Sequence, residues 1–414
     1  MQLIEQELST RTHANSTGRW QLVLMLLFAV ALGTSQRDGI SILAPMFGEE
    51  LKLAFADIGY VFATFRLAST AGFLLMAVFI WREKSWVGYT VLGLLGVFGA
   101  LLTGLASGAH GLIVASSIAG LACGGLLVGA YRIVGGWLSR ESHGLAIGLI
   151  FALTQSFAPL MPVIAGETVI LIGWRWSSYV VAGLWCVWVP LWIWLSFRSG
   201  GSSRRELQRS MTLAQMFKEP VTWGVVVGIS FATPLSSFQL GEILGQTREL
   251  VTADRHLAGW EFALIALLPA MGAVGAGLAS DVLIRKGWSA DRSRSVVITL
   301  SAVIMAIPAL FVFVSDPVMN FLFAILSATA AQGLFTVLYT ALVDAVPRRD
   351  IILGVALSGW LSGLMGGAAS MLTKPIGSRW GSTPLLIGFS TLALIAVPFV
   401  RALIRRMPAE LIPS

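Results

Sequence analysis

The sequence predicts an all-α polytopic membrane protein with twelve transmembrane helices in two pseudo-symmetric six-helix halves. Three observations predict this class. Hydrophobic residues make up 56% of the 414 residues, charged residues make up only 12%, and the apolar residues form long stretches. A helix needs about 20 mostly apolar residues to cross a bilayer, whereas a membrane β-strand shows about 10 residues of alternating polarity. The stretches have the length of helices, which excludes a barrel.

Each predicted span is an apolar stretch bounded by polar residues, and tryptophans lie at many boundaries. Indole rings prefer the membrane–water interface, so we interpret these tryptophans as anchors. They are Trp20, Trp81, Trp86, Trp137, Trp174, Trp176, Trp192 and Trp194 in the first half, and Trp223, Trp260, Trp288 and Trp380 in the second. The spans, in order, are residues 20–44, 56–80, 86–108, 111–138, 144–166, 174–197, 221–243, 258–281, 295–315, 318–344, 351–373 and 382–402.

The distribution of basic residues predicts the orientation of the chain. If the amino terminus is cytoplasmic, 19 of the 28 Lys and Arg residues lie in cytoplasmic segments, 6 lie outside and 3 lie within spans. Basic residues concentrate on the cytoplasmic side of membrane proteins. The net charge of +7 therefore reflects topology and not nucleic-acid binding. We expect a multi-pass protein of the cell inner membrane with both termini in the cytoplasm.

The longest polar stretch between spans, residues 198–219, divides the chain. It predicts an amino-terminal half at 1–197, a cytoplasmic linker at 198–219 and a carboxy-terminal half at 220–414. The halves echo each other weakly, because a short basic loop precedes a helix rich in small residues both at Arg140 and at Arg348. Repeated halves are typical of secondary transporters.

The segment from Gly275 to Gly287 reads GAGLASDVLIRKG and falls between spans eight and nine. It resembles the cytoplasmic loop motif of the major facilitator superfamily. The resemblance implies a conformational latch formed by Asp281 and Arg285, in which the carboxylate meets the dipole of a neighbouring helix and nearby arginines. The equivalent segment of the first half, residues 79–85, has largely lost the motif.

Three further stretches resemble the anion:cation symporter group of that superfamily. They are AYRIVGGWL at 130–138, GWRW at 173–176 and AGW at 258–260. This resemblance implies transport of organic anions such as sugar acids and aromatic acids. The sequence departs from the group where span one reads Gln36-Arg37-Asp38 in place of Asp-Arg, and where Ser116 and Cys123 stand in place of an arginine and a glutamate in span four. These departures remove the residues that usually relay protons in the group.

Ionisable residues inside the predicted spans indicate the candidate site. A charge near the bilayer centre costs at least about 2.5–3.5 kcal/mol and needs a partner or a water-filled cavity. Arg37 and Asp38 lie in span one and Arg66 lies in span two, at similar depths. Two interpretations remain open. Both arginines bind a substrate carboxylate, or Asp38 and Arg66 neutralise each other as an interhelical pair.

Other polar residues within spans complete the prediction. We assign substrate binding to Arg37, Arg66, Gln155, Gln239, Gln332, Tyr339 and Trp360, and ion coupling to Asp38 and Glu261. Each of the uncharged residues is alternatively explained by helix packing or an interhelical hydrogen bond. Glu261 is alternatively a solvated surface residue near the end of its span.

The sequence favours a secondary active transporter that moves a small carboxylate-type anion by alternating access, as an H⁺ or Na⁺ symporter and a monomer. The alternative is a proton-antiporting exporter of drugs or metabolites, but residues 148–159 lack the Gly-Pro-rich motif that such exporters carry in span five. A third possibility is a transporter-like sensor. The chain carries no phosphate-binding loop, zinc-protease motif or nucleophile elbow. We therefore expect no enzyme activity, no cofactor and no metal.

Overall fold

The computed structural model describes residues 2–81, 85–154, 173–198, 220–253, 258–307, 309, 317–346, 351–380 and 383–404. These described residues form twelve helices in chain order. They are α1 (Gln2–Glu50), α2 (Phe55–Trp81), α3 (Ser85–Leu105), α4 (Ala109–Trp137), α5 (140–154), α6 (Trp174–Arg198), α7 (Pro220–Ala253), α8 (Ala258–Arg285), α9 (Ala290–Ala306), α10 (Pro317–Ala345), α11 (Ile351–Trp380) and α12 (Thr383–Ile404).

Every predicted span overlaps one of these helices, which confirms the all-α fold. Among the described residues, eight helices are long and apolar enough to cross a membrane, and two shorter apolar segments occupy Gln21–Arg37 and Leu353–Gly366. Some helices are longer than the apolar stretches, since α1 begins at Gln2 and α7 continues to Ala253. An α-helix satisfies its backbone hydrogen bonds internally, so it does not have to end where the apolar stretch ends.

The contacts divide the chain into two compact units. The first comprises Met1–Leu138 and Ile164–Gln208, and the second comprises Ser139–Val163 and Arg209–Ser414. The described part of α5 therefore packs with α7–α12, although it precedes them in sequence. The predicted linker at 198–219 lies almost wholly outside the described residues, and the predicted boundary between the halves stays a prediction.

The core of the first unit depends on the close approach of α2 and α4. A Cβ atom on Gly72 would overlap the carbonyl oxygen of Leu121, and one on Gly124 would overlap that of Ser69. Small residues allow helix backbones to approach to this degree in membrane proteins. The two helices are therefore packed backbone against backbone.

Two of the predicted tryptophan anchors are wrong, because Trp174 and Trp192 are each only 2% exposed. The ring of Trp192 stacks on Trp188 at 5.6 Å between ring centroids. Trp188 itself donates a hydrogen bond from Nε1 to the carbonyl oxygen of Met25, 2.7 Å away. Glycines of α3 provide the space for α6 rings, since Gly93 faces Trp188 and Gly96 faces Trp185.

Glu50 and Arg175 join three helices at one end of the first unit. Arg175 donates to Oε1 of Glu50 at 3.0 Å and to the carbonyl oxygens of Gly104 at 3.0 Å and Ala106 at 2.7 Å. The indole of Trp174 donates to the other oxygen of Glu50. The hydrogen bond from Trp174, followed by the hydrogen bond and charge of Arg175, holds the pKa of Glu50 below its ordinary value. The group ties the ends of α1 and α3 to the start of α6.

Candidate functional site

Gln36 and Arg37 lie on different sides of α1, because successive residues of an α-helix differ by about 100°. Gln36 donates from Nε2 to the carbonyl oxygen of Gly96 on α3, 3.1 Å away. Arg37 is half-buried and interacts within the chain. The side chain of Asp38 lies outside the described residues, so its pairing with Arg66 stays a prediction. Gln36, which takes the place of an acid in the group that the sequence resembles, thus bonds to a neighbouring helix.

Ser116 and Cys123 of α4 are buried inside the first unit. The hydroxyl of Ser116 lies 3.1 Å from that of Thr64 on α2, where either can donate, and it also donates to the carbonyl oxygen of Ile113 at 3.0 Å. A Cβ on Gly33 of α1 would lie only 3.2 Å from the Cα of Cys123. The resemblance to the anion:cation group implies charged residues at these two positions. In this chain, the small neutral side chains of Ser116 and Cys123 occupy them and pack against α2 and α1, respectively.

Arg66 has an exposed side chain in the middle of α2. The apolar segment of this helix runs over 24 residues from Asp57 to Ile80. At 1.5 Å per residue, Arg66 lies roughly 14 Å from the Asp57 end. An exposed apolar stripe runs along the same helix through Tyr60, Leu67, Leu74 and Val78, with Leu67 as much as 72% exposed. Successive residues of an α-helix differ by about 100°, so Arg66 lies at the side of this stripe and not within it.

The second unit brings Tyr339 of α10 and Ser358 of α11 together. Their hydroxyl oxygens lie 3.1 Å apart, and the Ser358 hydroxyl lies 2.9 Å from the carbonyl oxygen of Val355. The ring of Phe151 from α5 packs on Tyr339 with 5.5 Å between centroids. Tyr339 and Ser358 are both buried. Tyr339, which is predicted to bind substrate, is therefore part of the packed interior of the unit.

The remaining uncharged candidates differ in exposure. Gln332 of α10 is buried, whereas Trp360 of α11 is 55% exposed. The whole of Gln155 lies outside the described residues, as do the side chains of Gln239 and Glu261. Their assignment to the site stays a prediction.

A buried charged group joins four helices at the end of α8 that carries Asp281. We call it the Asp281 cluster and define it by His143 of α5, Asp281 of α8, Arg294 of α9 and Asp344 of α10. The side chains of Arg294, Asp281 and Asp344 are 1%, 0% and 2% exposed, respectively. Arg294 bonds to Oδ1 of Asp281 at 2.7 Å and to Oδ2 of Asp344 at 3.1 Å. One guanidinium therefore bridges two buried carboxylates.

The second turn of α5 completes the coordination of Asp281. The backbone N–H groups of Gly144 and Leu145 donate to its two carboxylate oxygens at 3.1 and 2.7 Å. The positive end of the α5 helix dipole lies near these residues and favours an anion there. The contact is possible because Gly144 and Gly277 leave room for backbone against backbone between α5 and α8. This is the type of contact that the loop motif implies for Asp281.

The predicted partner, Arg285, takes a different position from Arg294. It is exposed and donates to the carbonyl oxygen of Glu141 at 3.1 Å. It therefore touches α5 at the rim of the cluster, and its part in a latch stays a prediction. Arg294, His143 and Asp344 were not among the residues proposed from sequence. Each of the three lies at the boundary of a predicted span. A charged residue in that position is ordinarily interpreted as a solvated loop residue, so the sequence did not indicate them.

Two further charged groups surround the cluster. Arg140 lies close enough for Arg294 to donate to its carbonyl oxygen at 3.0 Å, and its own guanidinium donates to the carbonyl oxygen of Asp344 at 3.3 Å. Partial burial raises the pKa of Asp291, in the first turn of α9, above its ordinary value. The Arg140 guanidinium opposes this rise and the Asp344 carboxylate adds to it. The pKa of Asp291 therefore depends on the charges of Arg140 and Asp344.

Apolar helices packed through glycines and a carboxylate bonded near the amino terminus of a neighbouring helix agree with the membrane transporter that the loop motif implies. The family model of the Major Facilitator Superfamily matches residues 26–349. The chain therefore belongs to this superfamily. This membership agrees with three predictions from the sequence. They are the fold of twelve helices in two halves, the multi-pass membrane location, and a transporter in place of an enzyme.

Among curated proteins, the chain resembles transporters of sugar acids from Escherichia coli. It is 20% identical to the hexuronate transporter of strain K12, over 94% of this chain and 95% of that protein. It is 22% identical to the D-galactonate transporter of Escherichia coli O6:H1 (strain CFT073), over 91% of this chain and 93% of the relative. It is also 22% identical to the probable galactarate/D-glucarate transporter of strain K12, over 90% of this chain and 87% of the relative. These relatives confirm the resemblance to the anion-transporting group.

Solved structures show the same fold. The proton:xylose symporter XylE, bound to 6-bromo-6-deoxy-D-glucose, superimposes with a TM-score of 0.72 at 12% identity, covering 95% of this chain and 97% of that one. The human organic anion transporter MFSD10 superimposes with a TM-score of 0.65 at 12% identity, covering 91% and 99%. At these identities the likeness concerns the fold alone.

Proposed function

We propose that this transporter moves a small carboxylate-type organic anion by alternating access, coupled to H⁺ or Na⁺ as a symporter. The observation that carries the proposal is Arg66, an exposed arginine in the middle of a 24-residue apolar helix. An arginine in that position is costly against lipid chains. The cost falls if the side of α2 that carries Arg66 lines a water-filled path, and an exposed guanidinium on such a path attracts anions.

The chemistry of the guanidinium supports a carboxylate as cargo. Its planar array of N–H donors matches the two oxygens of a carboxylate, and such charge-assisted pairs are stronger than neutral hydrogen bonds. Arg37 lies in the same unit on α1 and is half-buried. Exchange of its present interaction for a substrate carboxylate would provide a second cation. The sugar-acid relatives carry cargo of this charge, which supports the same class here.

The coupling ion must bind at residues other than the usual relay positions. Those positions hold Ser116 and Cys123, which do not supply a carboxylate and are buried against neighbouring helices. We assign ion coupling to Asp38 and Glu261. Protonation of Asp38 would release a neighbouring arginine to the substrate anion, which links proton and substrate binding.

The Asp281 cluster is proposed as the latch that closes the cytoplasmic end, with Arg285 at its rim. Opening of that end requires α5 to leave α8, which breaks the two backbone hydrogen bonds to Asp281. We place this end and both termini in the cytoplasm, in the inner membrane, on the basis of the positive-inside bias. The working unit is proposed to be a monomer.

Ligand-induced thermal stabilisation of the purified protein tests the anion proposal. A ligand that binds only the folded state stabilises it by about 2.7 kcal/mol at a hundredfold excess over Kd. We expect galactonate, glucuronate and glucarate to raise the melting temperature, and the corresponding neutral sugars to have no effect. The Arg66→Ala variant should lose the response. Arg292→Ala, which removes an exposed arginine stacked on Trp288, is the matched control and should keep it.

Two outcomes would contradict the proposal. Stabilisation by cationic drugs alone, with none by organic acids, would favour the exporter instead. An equal response of wild type and Arg66→Ala to the acids would show that the anion binds elsewhere. Counterflow of labelled acid in proteoliposomes, with and without H⁺ or Na⁺ gradients, then identifies the coupling ion.

A further inference from the structure

His143 is a buried titratable group in the Asp281 cluster. It lies at the start of α5 and is only 4% exposed. Its Nδ1 atom lies 2.7 Å from Oδ1 of Asp344, and the other oxygen of Asp344 bonds to Arg294. The two residues are separated by 201 positions in the chain. The imidazole thus links α5 to α10.

The charges inside the cluster do not balance when the imidazole is neutral. Asp281 and Asp344 supply two negative charges, and Arg294 supplies one positive charge. The amino terminus of α5 offsets part of the difference, because a helix terminus carries a partial positive charge. An uncompensated charge in a buried site is costly. Protonation of His143 supplies the missing positive charge and makes the four side chains neutral together.

Charged groups of all four helices face this site. From α5 they are Arg140 and Glu141, from α8 Asp281 and Arg285, from α9 Asp291 and Arg294, and from α10 Asp344. Arg140 and Arg294 bring positive charge to this site, and the carboxylates bring negative charge. Of these groups, the Asp344 carboxylate is in direct contact with the ring.

We propose that His143 and Asp344 form a proton-binding site that couples closure of the latch to the pH of the adjacent compartment. The proposal rests on the proposed function for the identity of that compartment, the cytoplasm, and for the opening of the latch during transport. Protonated His143 pairs with Asp344 and holds α5 against α10. Loss of the proton leaves the cluster with an excess negative charge, which favours separation of α5.

The consequence is a cytoplasmic brake, by which we mean that transport slows when the cytoplasm becomes acidic. Histidine is the side chain that ordinarily titrates between pH 5 and 8. A symporter that brings in protons or acids lowers the pH on the receiving side. Protonation of His143 would then favour the closed latch and slow further import. The site acts on the conformation and not on the substrate, so His143 is a positioning residue for the transport cycle.

Distance measurements by electron paramagnetic resonance test the site without any substrate. Spin labels are placed on cysteines that replace Glu141 and Lys286, two exposed residues on α5 and just after α8. The native thiols are removed by Cys123→Ser and Cys186→Ser. We expect the short-distance population to fall about fivefold or more relative to the long-distance one between pH 5.5 and 8.5, a typical coupling between two sites. With His143→Gln, the profile should be flat.

Two further variants separate charge from structure. His143→Lys places a permanent cation beside Asp344 and should keep the labels close at every pH. Asp344→Asn removes the partner and should abolish the pH dependence while His143 remains. A wild-type profile that is flat, or that His143→Gln or Asp344→Asn leaves unchanged, would overturn the proposal. Failure of the anion panel would leave these measurements unaffected, so the two proposals fail separately.

Discussion

Arg285 and Arg294 show how burial distinguishes two residues of the same type. Both flank the loop between α8 and α9, and both were expected to lie outside the membrane interior. Arg285 is exposed and bonds to one carbonyl oxygen. Arg294 is buried, bridges two carboxylates and donates to the carbonyl oxygen of Arg140. The difference arises because α9 turns its first helical turns toward α8 and α10, whereas the last residue of α8 faces outward.

The two arginines should therefore differ in their contribution to stability. Arg294→Ala leaves two buried carboxylates unpaired, which costs about 3–5 kcal/mol. Arg285→Ala removes an exposed group and should cost less than about 1 kcal/mol. Unfolding of the purified variants in detergent, followed by tryptophan fluorescence, checks both. Equal destabilisation would show that the buried bridge does not stabilise the fold.

At the scale of the helix, α2 combines two kinds of surface. One side packs on α4 through Gly72, with no room for a Cβ. The other side is exposed and carries Arg66 beside the apolar stripe. A helix with these two sides can be held rigidly by α4 while it presents Arg66 to the water-filled path proposed above. Rigid support matters for a binding residue, because the geometry of a bidentate contact is lost by small displacements.

Two glycines of α2 provide a matched test of this packing. A Cβ on Gly72 would meet the backbone of α4, whereas one on Gly59 would meet nothing within 4 Å. We expect Gly72→Ala to reduce the free energy of unfolding by about 1–3 kcal/mol through overpacking. Gly59→Ala should raise it by about 0.5–1 kcal/mol, since alanine favours a helix. Melting temperatures of both variants measure the difference, and a loss of equal size in both would contradict the close approach.

At the scale of the molecule, the distribution of basic residues predicts the orientation in the membrane. The proposed role of the latch depends on this orientation. The positive-inside bias predicts that the end of α8 near Asp281 faces the cytoplasm, so that the pH site senses the cytoplasm. The same bias predicts that the loop after α1, which includes Lys52, faces outward. The two loops should differ in their accessibility to reagents that do not cross the membrane.

Cysteine labelling in intact cells measures this orientation. In a Cys186→Ser background, which removes the exposed native thiol, we expect Lys52→Cys to react with an impermeant maleimide. Lys286→Cys should react only after permeabilisation. Both positions are exposed, so access is limited by the membrane alone. The reverse pattern would place the latch outside and remove the basis of the cytoplasmic brake.

The sequence by itself determined the number, order and approximate limits of the membrane helices. A transmembrane helix needs a long apolar stretch, and that property belongs to the stretch alone. The sequence also indicated Asp281, because a short motif carries it, and Arg66, because a charge inside an apolar stretch is conspicuous. Helix ends were less well predicted, since internal hydrogen bonds let α1 and α7 continue beyond their apolar stretches.

Only the tertiary structure decided which charges are buried together. His143 and Asp344 lie in different halves of the sequence, and no local pattern relates them. Trp174 and Trp192 resembled interfacial anchors, yet α1 covers Trp174 and α3 covers Trp192. Burial of a side chain depends on the helices that pack around it, and this packing depends on the whole chain.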